Sequence, residues 1–127
     1  MDFTRGEGGQ MIRLIKKEQA EARKINNSYS VSNLLTKETS KKVSVSIGEA
    51  VNHSEITKNI RSDRIYYVLE GQLTVVQGTE VFVANPGDLI FIEANAPYHF
   101  KGTFRVVLIN TPAFDPKNEQ TVKILSG

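Results

Sequence analysis

Residues 65–100 read IYYVLEGQLTVVQGTEVFVANPGDLIFIEANAPYHF, and the fold turns on this stretch. Short apolar runs rich in Val, Ile, Phe and Tyr are broken by Glu70-Gly71, Gly78-Thr79 and Asn85-Pro86-Gly87-Asp88. Branched and aromatic residues suit a pleated, half-buried surface, while Gly, Pro, Asn and Asp supply the turns between such runs. Residues 65–69, 73–77, 81–84 and 89–92 therefore read as strands, with a hairpin at Gly71. The texture continues outward. Residues 29–35 and 104–110 read as further strands, and residues 121–125 as an edge strand. Residues 43–51 alternate, with Val43, Val45, Ile47 and Val51 on one side and Ser44, Ser46, Gly48 and Ala50 on the other. A parallel sheet needs crossover helices, and residues 65–110 leave no room for them. The pattern predicts an all-β chain, an antiparallel sandwich or barrel.

Residues 18–24 (EQAEARK) carry helix-favouring residues and stop at Asn26-Asn27, which predicts one short N-terminal helix on the surface. Residues 1–10 (MDFTRGEGGQ) read as a flexible leader, with residues 11–127 as a single domain. At 127 residues the chain is the size of one domain and has room for a core.

Composition excludes several functions. The net charge is +2, and Lys16-Lys17 and Lys41-Lys42 are isolated pairs, so no basic stripe marks a nucleic-acid partner. The absence of cysteine removes disulfides, thiolate zinc sites and a cysteine nucleophile, and suits a cytoplasmic location. No apolar run approaches the ~20 residues of a membrane helix, and no signal peptide opens the chain. Gly6-Glu7-Gly8-Gly9 lacks the lysine of a phosphate loop, and no G-x-S-x-G elbow is present.

Tyr67-Val68-Leu69-Glu70-Gly71 and Pro86-Gly87-Asp88, followed by Phe91-Ile92 and Pro97-Tyr98-His99-Phe100, resemble the paired landmarks of the cupin superfamily. The resemblance spans roughly residues 43–114 and implies a single antiparallel jelly-roll barrel. Metal-binding cupins place H-x-H and then a glutamate before the first landmark, and a further histidine after the proline of the second. Counting back, the glutamate position falls on Arg64, the histidine pair near residues 58–60, and the last histidine on Tyr98. Arginine has no lone pair to offer and repels a cation. A bulge would instead bring Asp63 to that position. The resemblance with its ligands missing implies no cofactor. A divalent metal would have to use a different set, His53, Glu55 and Glu49, whose imidazole and carboxylates suit zinc, manganese or iron.

Strand alternation then nominates a pocket. If position 64 points inward, so do Tyr66 and Val68; Tyr98 and Phe100 share a face, with His99 opposite; Glu49, Val51 and His53 fall together. Glu49, His53, Tyr66, Val68, Tyr98 and Phe100 are thus the candidate ligand-binding residues. An aromatic wall with a few polar fixtures suits a sugar-like or other small organic molecule. The functional expectation is a metal-independent small-molecule-binding cupin. The alternatives are an isomerase, epimerase or lyase, with His53 or Glu49 as base and Tyr66 or Tyr98 as acid, and a metal-dependent dioxygenase-like enzyme. Exposed barrel edges invite pairing, so a homodimer is expected.

Overall fold

The computed structural model describes the backbone of residues 2–5 and 11–124 and the side chains of residues 12–121. Its strands are β1 (Asp2–Arg5), β2 (Met11–Leu14), β3 (Glu21–Asn26), β4 (Tyr29–Leu35), β5 (Ser44–Asn59), β6 (Asp63–Gln77), β7 (Glu80–Ala84), β8 (Leu89–Ile92), β9 (Tyr98–Thr111) and β10 (Glu119–Ile124). All pairings are antiparallel, in the order β3-β4-β5-β9-β6-β7, with β10 also on β5 and β8 also on β6. The long strands change partners along their length. β5 meets β4 through residues 45–50 and β10 through residues 55–59, while β6 meets β8 through residues 64–67 and β7 through residues 73–77. This is the jelly-roll barrel expected from the sequence.

The bend that closes it lies at one level across three neighbouring strands. In β5, Asn52 takes φ +47° and the register slips between Ala50 and His53. In β9, Gly102 (φ +132°) faces both His53 and Leu73; in β6, Gly71 (φ +77°) faces Phe104. A Cβ on Gly71 would run into the carbonyl oxygen of Thr103, so only glycine fits this approach. β6 runs on through Gly71 as one strand, its register slipping just before it between Val68 and Glu70, which corrects the hairpin expected there.

The N-terminal helix is also corrected. Lys17–Gln19 forms a single 3₁₀ turn, and Glu21–Asn26 is strand β3. Asn26 Oδ1 accepts from the backbone N–H of Ser28 at 2.9 Å and shapes a two-residue turn into β4. Pairing with β4 overrides a helix propensity that is only a weak prior. Residues 2–5 of the expected leader form β1 and pair with β2; the rest of it, residues 1 and 6–10, lies outside the described residues, as does Leu125 of the expected edge strand.

Aromatic and branched side chains from β4, β6 and β9 fill the core, with Tyr66, Val68, Leu73, Phe100 and Val106 at its centre. β5 meets them with its small side. Ser44, Ser46, Gly48 and Ala50 are buried, whereas Val51 is 64% exposed. A Cβ on Gly48 would sit 3.0 Å from the Tyr29 hydroxyl, so the small face makes room for that ring. No helix among the described residues is long and apolar enough to cross a membrane.

Candidate functional site

At one end of the barrel a cavity of about 270 Å³ opens between β4, β5, β6, β9 and the segment leading into β10. Two chains of hydrogen bonds converge on it.

The first starts from Glu119 on β10. Its carboxylate accepts from Arg64 Nη1 at 3.0 Å and Nη2 at 2.7 Å, from Thr57 Oγ1 at 2.9 Å and from Asn59 Nδ2 at 3.0 Å. Arg64 also donates from Nε to Asn110 Oδ1 and from Nη1 to the Tyr98 hydroxyl, both at 2.8 Å. The Tyr98 and Tyr66 hydroxyls lie 2.7 Å apart. Tyr98 accepts from a group that can only donate, so its own proton is available to Tyr66. Tyr66 lines the cavity and can then donate into it. Burial works against the charge on Arg64, but Tyr98, Tyr66 and Glu119 more than offset it and hold its pKa well above the usual value. Burial likewise pushes up the phenol of Tyr98, against the pull of Arg64, and that of Tyr66 much further. Tyr66 therefore stays protonated. Glu119 is partly desolvated, yet the hydrogen bonds and charge of Arg64, with Asn59 and Thr57, hold its carboxyl below the usual range.

The second chain runs from the turn between β3 and β4 to β5. Glu55 Oε1 is 2.9 Å from His53 Nε2, and His53 Nδ1 is 2.6 Å from Ser28 Oγ. The imidazole bridges the two, with Nε2 against the Glu55 carboxylate and Nδ1 against the Ser28 hydroxyl, which also donates to Asn26 Oδ1 at 3.0 Å. His53 is 1% exposed, stacked on Tyr29 at 5.1 Å between ring centroids and tilted against Phe100 at the same distance. It is Glu55, not His53, that lines the cavity, where its other oxygen accepts from Thr121 at 3.3 Å. Phe100 separates the two chains, packing on His53, Tyr66 and Tyr98.

The sequence-predicted residues divide accordingly. His53, Tyr66, Val68, Tyr98 and Phe100 are all buried on the inner face. Glu49 is on the outer face, 61% exposed in its side chain and 3.4 Å from Arg105. Its assumed shared face with His53 is corrected by the bulge at Asn52, which reverses the alternation between them. His99 points outward to Ser54 and takes no part. Sequence reasoning treated Arg64 as a missing metal ligand and did not find Ser28, Asn110 or Glu119. Asn110 was within reach, because Tyr98, Phe100, Phe104, Val106 and Leu108 share its parity and are all buried.

A metal does not fit this donor set. The guanidinium of Arg64 occupies the middle of it, His53 spends both nitrogens on Ser28 and Glu55, and Glu49 faces away from the proposed partners His53 and Glu55. Among the described residues no three of His, Cys, Asp and Glu group closely enough to hold an ion.

Residues 53–111 match the family model of the cupin domain. That stretch is just under half of the chain, and the barrel around it has the cupin fold. Solved structures share the architecture. Pac13 from Streptomyces, described as a unique nucleoside dehydratase, is 23% identical, with a TM-score of 0.77 over 91% of this chain and 94% of that one. A variant of it with tyrosine changed to phenylalanine, solved with uridine, is 24% identical over 91% and 93%, with a TM-score of 0.78. KdgF from a Halomonas species is 13% identical, with a TM-score of 0.71 over 83% and 99%. At these identities the likeness is one of fold. No curated protein sequence matches the chain.

Proposed function

We propose that the barrel binds a small hydroxyl-bearing organic molecule, of the sugar or nucleoside class, and acts on it as a metal-independent acid–base lyase. The observation that carries this reading is the opposition of a carboxylate, Glu55, and a protonated phenol, Tyr66, in one cavity. Glu55 takes the proton from a carbon beside a carbonyl. The hydroxyl on the next carbon leaves with the Tyr66 proton as water, and an unsaturated carbonyl compound remains. His53 orients Glu55, and Ser28 fixes His53. General acid–base groups of this kind are worth about 10²–10⁴ in rate. The similarity to Pac13 supports the reaction class: histidine and tyrosine are the residue types changed in its uridine-bound variants, and both line or back this cavity.

The test is proton exchange in heavy water. Wild-type protein should wash deuterium into the position beside the carbonyl of a keto- or aldehydo-sugar or a nucleoside aldehyde, read by proton NMR. Glu55→Gln should lose at least 100-fold of that rate while still binding the compound. Binding without exchange by the wild type would reduce the function to that of a carrier or sensor. We further propose a cytoplasmic homodimer of the domain at residues 11–127, paired through the exposed outer face of Tyr67, Leu89 and Phe91. A monomer mass by light scattering would overturn that assembly.

A further inference from the structure

The polar groups the cavity leaves open are nearly all donors. Asn110 is 2% exposed and lines the cavity. Its Oδ1 accepts from Arg64, which has nothing but donors, so the orientation of the amide is fixed. Its Nδ2 then has no protein partner among the described residues. Asn33 Oδ1 accepts from Ser46 Oγ at 2.7 Å, which leaves the Asn33 Nδ2 open as well. The Tyr29 hydroxyl lines the same space, and burial raises its pKa and keeps it a donor. Arg23, on β3, also lines the cavity. Of the acceptors, Glu119 is surrounded by Arg64, Asn59 and Thr57, while Glu55, held by one contact on each oxygen from His53 and Thr121, keeps a lone pair for its part as base.

We infer that the bound molecule presents two acceptor oxygens on one planar group, a cyclic imide or a carboxylate, to the carboxamides of Asn110 and Asn33. This rests on the reading of the cavity as a small-molecule site. A buried donor without a partner is costly, so a site lined with such donors selects a molecule that supplies acceptors. A ligand with a donor at the same place leaves the amide N–H facing another N–H. Such a mismatch is how polar sites discriminate most sharply.

Calorimetric titration with four probes decides the matter. Uridine carries the imide, cytidine replaces one of its carbonyls with an amine, glucuronate carries the carboxylate, and glucose carries neither. The wild type should bind uridine at least tenfold tighter than cytidine, or glucuronate at least tenfold tighter than glucose; which pair separates names the group. Asn110→Asp keeps the acceptor for Arg64 and replaces the open donor with an acceptor. It should weaken the preferred probe at least tenfold. If its melting curve shows early unfolding, Asn33→Asp, at a partly buried position, carries the same expectation. Equal binding within both pairs, or no loss in the folded variant, overturns the inference and leaves the small-molecule reading standing. Failure of the wild type to bind any of the four overturns both.

Discussion

The two hydrogen-bond chains that meet in the cavity differ in what anchors them. Ser28–His53–Glu55 ends in an acceptor and joins the turn between β3 and β4 to β5, where His53 and Glu55 are two residues apart. Glu119–Arg64–Tyr98–Tyr66 ends in a donor and is tied to a carboxylate from the last strand, 55 residues along the chain from Arg64. The first needs β5 and the neighbouring β3–β4 turn to hold its shape. The second exists only when β10 is docked on β5, because nothing else among its partners neutralises Arg64. A charge in the wall of a barrel is thus made tolerable by the tail of the chain, and the acid and base ends of the site differ in how they depend on tertiary structure.

That difference should be largest in stability. Glu119→Gln strands a guanidinium that is 4% exposed, and breaking a buried pair from one side costs about 3–5 kcal/mol. Urea unfolding should show a loss of that order, whereas Lys117→Gln on the exposed side chain nearby should be silent. A midpoint unchanged by Glu119→Gln would sink the claim that this chain depends on the tail.

The same pair sets a pH dependence. Glu119 has a lowered pKa in the folded state, so its stabilisation is fully present above the ordinary carboxylate pKa. It is lost progressively as pH falls from that value through the folded one. Melting temperature should therefore drop in acid, and Glu119→Gln should flatten that limb. A limb equally steep in the variant would assign it to other groups.

Smaller effects lie further along each chain. Tyr98→Phe removes a hydrogen bond donated by a charged group, worth about 1.5–3 kcal/mol, and leaves Tyr66 without its link to Arg64. Exchange activity should fall with stability in that variant. Ser28→Ala removes one neutral bond to His53, worth about 1 kcal/mol. Unfolding measurements that ranked Ser28→Ala above Tyr98→Phe would reverse the contrast drawn between the two chains.

The sequence by itself determined most of the strands beyond residue 28, their antiparallel packing and the inner face of β6 and β9. These depend on period-two alternation and on turn residues, which are local properties that survive without knowledge of partners. It also placed an arginine where metal-binding relatives of the superfamily carry a glutamate, and paired His53 with Glu55 as H-x-E. Only the tertiary structure decided the rest. Glu49 and His53 are four residues apart and would share a face, but the slip at Asn52 opposite Thr103 puts them on opposite sides. Such a bulge is set by how a strand must bend against its neighbours, not by its own residues. Residues 21–26 became a strand because β4 offered a partner, against their own helix preference. Glu119 gave no local sign of its role, since its value to Arg64 comes from a meeting across the barrel that only the closed sheet brings about.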